Sequence, residues 1–191
     1  LNELADLRRY RLGERSRIAG RIALAHDATI RRLLDGSLKR CKAEIALLDA
    51  EIRRHIAATR LAWLHRRLMA IAGVGPVLAA TLLCDLPELG HASPKQIASL
   101  VGVAPHARQS GKSQKAGRCF GGRTVVRNVL YMATLSALKA RMSHLFPFYE
   151  RLRANGKPFK LAITATMRKF ITIINAIVRD NPKNQNTTTV A

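Results

Sequence analysis

Ile71-Ala72-Gly73-Val74-Gly75-Pro76-Val77-Leu78-Ala79 is the stretch that decides the fold. Two glycines within three positions permit a tight reversal that a Cβ would obstruct. Pro76 suits the first turn of a helix, where its missing N–H costs nothing and its fixed φ is already helical. The stretch sits in an apolar segment, residues 61–88, with helical stretches on both sides, so it reads as two helices joined by a tight turn. Of the 191 residues, 48% are hydrophobic and only 5% aromatic, so the core is built from Leu, Ile, Val and Ala. An all-α fold is expected.

Toward the amino terminus, residues 1–60 contain no Pro and are rich in Arg, Leu, Ile and Ala. Leu38, Cys41, Ile45, Leu48 and Ile52 recur at alternating spacings of three and four, a seam with charged residues between. Leu4, Leu7, Ile18, Ile22 and Ala25 form a weaker stripe, and Asp35-Gly36-Ser37 is the natural turn between the two. Residues 1–60 are therefore expected to be a helical hairpin or coiled-coil arm, or else two amphipathic helices packed on their own domain. Toward the carboxy terminus, one helix is expected from Arg123 to Arg141, with Val126, Leu130, Ala133 and Ala137 on one face. Another is expected from Leu161 to Arg179, with Ile163, Met167, Phe170, Ile174 and Ile177. Phe146-Pro147 and Asn155-Gly156-Lys157-Pro158 break the chain between them. Residues 61–180 form the expected second domain, and residues 181–191 a polar, disordered tail.

Thirty-three Lys and Arg stand against 12 Asp and Glu, a formal charge of +21. Such an excess argues against an ordinary metabolic domain and for a polyanionic partner, since a basic surface gains free energy by displacing counterions from phosphates. From Leu89 to Tyr149 there is no acid at all. Pro105–Gly122, inside that window, is rich in Gly, Ser, Gln and cations and is expected to be a loop. It carries Ser110 beside Arg108, Lys112 and Lys115. Cations there would hold a phosphodiester and stabilise transition-state charge. Ser110 would then attack the phosphorus once deprotonated, with His106 a candidate base. The same loop reads equally as a passive phosphate binder. Gly111-Lys112-Ser113 lacks the upstream Gly spacing of a P-loop.

Ten of the 12 acids lie at or before Glu88, scattered among cations, so no metal site is expected in this chain. Asp85 reads as a helix-end or salt-bridge residue. Cys41, Cys84 and Cys119 form no CxxC pair, which fits a reducing, cytoplasmic setting. No run of 18 apolar residues exists and no membrane partner is expected. The start at Leu1, without an initiator Met, is expected of a fragment.

The Gly73–Pro76 stretch resembles the helix-hairpin-helix DNA-binding motif, in which backbone N–H groups at the second helix start meet a DNA phosphate. A tight interhelical turn without a ligand is the other reading of the same residues. Further pieces follow in order: Leu100-Val101-Gly102-Val103-Ala104-Pro105, Arg108-Gln109-Ser110-Gly111-Lys112-Ser113, and Arg127-Asn128-Val129-Leu130-Tyr131-Met132-Ala133. Together with the glycine turn, they resemble the carboxy-terminal domain of transposases of the insertion sequence one-ten family, DNA recombinases guided by a bridge RNA. The likeness covers roughly residues 65–180, and the arm is similar to the coiled-coil segment that precedes this domain in the family.

The resemblance implies DNA transposition, with a serine nucleophile that falls on Ser110 (Ser113 being the alternative). It implies DNA contacts from Gly73, Gly75, Arg108, Lys112, Lys115, Arg123 and Arg127. It also implies a guide RNA partner and self-association through residues 1–60. Mg²⁺ is expected only with an amino-terminal nuclease-like domain that this sequence lacks, so the fragment is expected to bind no cofactor and to be inactive alone. The segment Ala116–Gly122 departs from the family pattern. A non-catalytic helix-hairpin-helix module binding DNA or RNA is the alternative function. A basic RNA-associated assembly protein would explain the charge but not the turn.

Overall fold

The computed structural model describes residues 1–59, 61–110, 113–141 and 144–180, and only the backbone of residues 106–110 and 113–118. Lys112 and the tail 181–191 lie outside the described residues. The described chain is all-helical except for one two-stranded ribbon, and it divides into two compact units, Leu1–Ala62 and Trp63–Ala191.

The first unit is an antiparallel pair, α1 (Asn2–Leu24) and α2 (Ala28–Ala58). The chain reverses at Ala25–Asp27 and not at Asp35-Gly36-Ser37, which lies inside α2. The reason is a cap: Asp27 Oδ1 accepts from the Ile30 N–H at 2.9 Å, satisfying a donor that the helix start leaves orphaned. The Ser37 hydroxyl, which a turn would have used, donates back to the Leu33 carbonyl one helical turn earlier. Of the expected seam, Cys41, Ile45 and Ile52 are buried and Leu38 and Leu48 half-buried; Ile56 and Ala5 are buried with them. Ion pairs flank this thin core: Arg8 Nε to Asp49 at 2.5 Å and Arg11 Nε to Glu44 at 3.0 Å.

The second unit holds α3 (Ala62–Met69), α4 (Pro76–Asp85), α5 (Pro94–Val101), β1 (His106–Ser110), β2 (Ser113–Arg118), α6 (Thr124–Lys139), α7 (Phe146–Ala154) and α8 (Phe159–Arg179). Of these, α8 is the core helix, with Ile163, Met167, Phe170, Ile171, Ile174 and Val178 all buried. Half of its most apolar stretch is buried against the protein, so its membrane-like length and hydropathy have a packing explanation. Against it lie α5, α6 and α7, while α6 also packs on α4. Asn175, fully buried on α8, accepts from the Gly90 N–H and donates to the Ala92 carbonyl, both at 2.8 Å. One amide thereby fixes the connection between α4 and α5 to the core helix.

Two expectations need correction here. Phe146-Pro147 does not merely break the chain: Pro147 falls in the first turn of α7, where proline is tolerated. The segment Pro105–Gly122 is not wholly loop, because β1 and β2 pair antiparallel within it. Local pairing made the ribbon illegible to apolar periodicity, since its residues are almost all polar.

Candidate nucleic-acid interface

Three local structures bring the expected residues into place. The first is the glycine turn. Ile71 and Val74 are buried and anchor it, as do Leu78 and Ala79 one turn into α4. The Val74 N–H closes on the Ile71 carbonyl at 2.9 Å, and Gly73 at φ 90° makes the reversal. Gly75 is the N-cap of α4 and offers no side-chain cap, with Pro76 next. The cap residue therefore has no side chain to compete for the amides of the first turn, and the helix dipole adds positive potential there.

The second is the ribbon. Its backbone register pairs Arg108 with Lys115, Gln109 with Gln114, and Ser110 with Ser113, so the two serines form the last rung. The two residues between them, Gly111 and Lys112, are of the Gly-X kind favoured by two-residue hairpin connections. This dipeptide is the signal by which the sequence announces the ribbon. His106 pairs with Arg118 at the other end, and the register slips between His106 and Arg108.

The third structure roots the ribbon. The chain leaves α5 through Gly102, in the left-handed region at φ 77°, and Val103 and Ala104 are buried. It returns through Gly121 and Gly122, at φ 70° and 67°. A Cβ on Gly122 would stand 2.7 Å from Gly102 Cα, so the two backbones touch at a place where only glycine fits. The Arg123 N–H then donates to the Leu100 carbonyl at 2.7 Å. Its guanidinium grips Glu88 with both ends, Nη2 to Oε1 at 2.6 Å and Nη1 to Oε2. Arg127 Nη1 donates to the Gly121 and Val101 carbonyls, and Nη2 to the Thr124 hydroxyl at 3.2 Å.

Electrostatics follow from this geometry. The Arg123 guanidinium holds the Glu88 carboxyl below its ordinary value, and Glu88 in turn raises Arg123, with Asp85 adding to the effect. Burial pushes the Cys119 thiol up, against the lowering influence of Arg168 and Arg127, so it is no ready thiolate. Burial likewise lowers His65, favouring its neutral form.

The expected site residues thus fall into distinct places. Gly73 and Gly75 form the turn, while Arg108, Ser110, Ser113 and Lys115 lie on the ribbon. Arg123 and Arg127, expected as DNA contacts, are half-buried, with their guanidinium groups hydrogen-bonded to protein partners at the ribbon's root. Glu88, which sequence reasoning left among scattered acids, is the partner it missed. Its place as the last acid before an acid-free stretch dense in cations was the available signal. Among the described residues no three His, Cys, Asp or Glu side chains gather to hold a metal.

Residues 65–150, which include the glycine turn, the ribbon and its root, match the model of the Transposase IS116/IS110/IS902 family. Over this stretch the chain is similar to the transposases of that family. Two relatives are pilin gene-inverting proteins of Moraxella lacunata and Moraxella bovis. Each is 30% identical over 156 residues, covering 80% of this chain and 48% of its own length. The uncharacterized 42 kDa protein of insertion element IS900 from Mycobacterium paratuberculosis is 27% identical over 150 residues, covering 76% of this chain and 35% of its own length. The chain thus spans half or less of the length of the relatives it matches. The arm and α8 lie outside the stretch that matches the transposase model, which begins within α3 and ends within α7.

Proposed function

We propose that this chain is the strand-handling part of a DNA recombinase, in which Ser110 (with Ser113 as the alternative) attacks a DNA phosphodiester. The supporting observation is the ribbon: inside the family-matched stretch, it sets both serines on one terminal rung and is held by a clamp at its base. In the reaction, the Ser110 hydroxyl oxygen bonds to phosphorus and the deoxyribose oxygen leaves, taking a proton. The serine–phosphate ester that results preserves the energy of the broken bond. A second deoxyribose hydroxyl then attacks that ester, releases Ser110 and rejoins the strands. Such transesterification needs no nucleotide cofactor. Relatives named as gene-inverting proteins are in keeping with cutting and rejoining DNA.

The chain's own residues take three parts in this scheme. The uncapped start of α4 behind Gly73 and Gly75 holds a backbone phosphate without reading sequence. Arg108, Lys112 and Lys115 supply positive charge beside the serines. Arg123 and Arg127 position the ribbon by fixing its root. A bridge RNA as guide, and self-association through residues 1–60, belong to the same proposal. Leu24, Leu33 and Leu47, exposed on the arm, are the surface that self-association would cover.

The test uses the full-length recombinase with end-labelled DNA, denatured after incubation. A covalent adduct is expected, and Ser110→Ala should abolish it while DNA binding persists. An adduct that survives Ser110→Ala but not Ser113→Ala moves the role to Ser113. Salt-sensitive binding with no adduct in any variant identifies a non-catalytic nucleic-acid module instead.

A further inference from the structure

The helical hairpin of the first unit is unevenly charged along its length. From Arg15 to Lys42, the part that holds the Ala25–Asp27 elbow, eight Lys and Arg stand against two acids, Asp27 and Asp35. The rest of α1 and α2 carries five cations and six acids, joined by ion pairs such as Arg8–Asp49, Arg11–Glu44 and Arg54–Glu51. Arg31, Arg32, Lys39 and Lys42 are exposed and form no ion pair among the described residues. No side chain from Asp6 to Arg40 is buried, so packing does little to offset the mutual repulsion of these charges.

Helical spacing sorts the exposed residues of α2. At roughly 100° per residue, Arg31, Arg32, Lys39 and Lys42 fall on one flank of the buried Cys41 and Ile45, with Asp35 the one acid among them. Ile30 and Leu33 fall on the other flank, the side left to self-association. Arg31 Nη2 also donates to the Ala25 carbonyl at 3.0 Å, which ties its charge to the elbow.

We propose that the cationic flank of α2 beside the elbow lies along the phosphate backbone of duplex DNA. Charge complementarity selects a polyanion, because each phosphate contact frees a counterion and relieves the repulsion within the flank. A second copy of the hairpin offers only the same positive flank or a near-neutral open end. Composition favours a duplex over a single strand: no Phe, Tyr or Trp occurs from Arg15 to Lys42, so no ring is there for bases to stack on. Two paired helices are roughly 20 Å across, too broad for a major groove about 12 Å wide, so the contact is with the backbone and reads no sequence.

The inference rests on the nucleic-acid reading above, and the test separates the two. Binding of the full chain to duplex DNA is measured across a salt series, alongside single-stranded DNA and an RNA duplex of equal length. The triple substitution Arg32→Gln, Lys39→Gln and Lys42→Gln should make the dependence of log affinity on log salt shallower by about 2–3 for duplex DNA. Affinity at the lowest salt should fall at least about tenfold. A control removes the same charge from the open end, Arg9→Gln, Arg53→Gln and Arg54→Gln, and should change the slope by less than about 1. Arg32→Lys, Lys39→Arg and Lys42→Arg together keep the charge and should bind as the parent chain does. An equal change in both Gln triples, a loss that the charge-keeping triple shares, or a loss confined to single-stranded DNA or the RNA duplex overturns the elbow proposal alone. So does an altered mass by light scattering with an unchanged slope, which assigns the flank to self-association. A parent chain that binds no DNA overturns the nucleic-acid reading and this proposal with it.

Discussion

Replacing Gly122 by Ala perturbs the ribbon's root without touching any charged or reactive group. The new Cβ would stand 2.7 Å from both Gly102 Cα and the Val101 carbonyl carbon, which are backbone atoms and cannot swing aside. Gly122 also has φ 67°, where an L-residue pays about 1–2 kcal/mol. Overpacking against fixed atoms adds about 1–3 kcal/mol. The sum, about 2–5 kcal/mol, corresponds to a fall in Tm of roughly 6–20 °C for a unit of this size. Gly156 supplies the internal control: it has φ 71° but nothing within 4 Å of its Cβ position, so Gly156→Ala should cost the backbone part only. Scanning calorimetry of the parent chain and both variants decides the matter. Gly122→Ala melting no lower than Gly156→Ala would refute the close approach of Gly102 and Gly122.

Glu88→Gln should lower stability at neutral pH by about 1 kcal/mol or less, because both partners of the Arg123 pair are about a third exposed. Since the folded carboxyl lies below its ordinary 4.5, that contribution is present above this value and fades as pH falls through the depressed one; melting curves of parent and variant should converge in acid. Asn175→Leu strands the Gly90 N–H and the Ala92 carbonyl and should cost about 2–4 kcal/mol, with the Gly90 amide exchanging faster by NMR. Ile52→Ala, in a first unit with few buried side chains, should cost about 2–4 kcal/mol and show as loss of helical circular dichroism at a lower temperature than in the parent chain.

Much of this fold was open to reading because its helices are strongly periodic. Ile163, Met167, Phe170 and Ile174 recur at helical spacing and are buried in α8, and Gly73, Gly75 and Pro76 mark a turn that the structure forms. The arm's reversal was misplaced because Gly36 and Ser37 are strong turn residues locally. A 31-residue helix tolerates both once Ile45, Ile52 and Ile56 pack along its length. The ribbon was missed because its side chains show no apolar alternation, so only Gly111-Lys112 hinted at it. At the site, the serines and the cations beside them are local features of one segment. The Glu88–Arg123 grip and the Gly102–Gly122 contact are not, since each joins residues that only the folded chain brings together. Arg123 consequently looked like one more cation among many.

The Arg8–Asp49 pair sets the start of α1 beside the closing turns of α2. The first turns of α1 and the last turns of α2 therefore sit at one end of the hairpin, with the Ala25–Asp27 elbow at the other. Matched deletions of whole turns next to the elbow would shorten the hairpin while leaving the pairing at its open end in place. Length and end-pairing are thus separate variables in this unit, and a ladder of such deletions would serve as a ruler for how many turns it needs to stay folded.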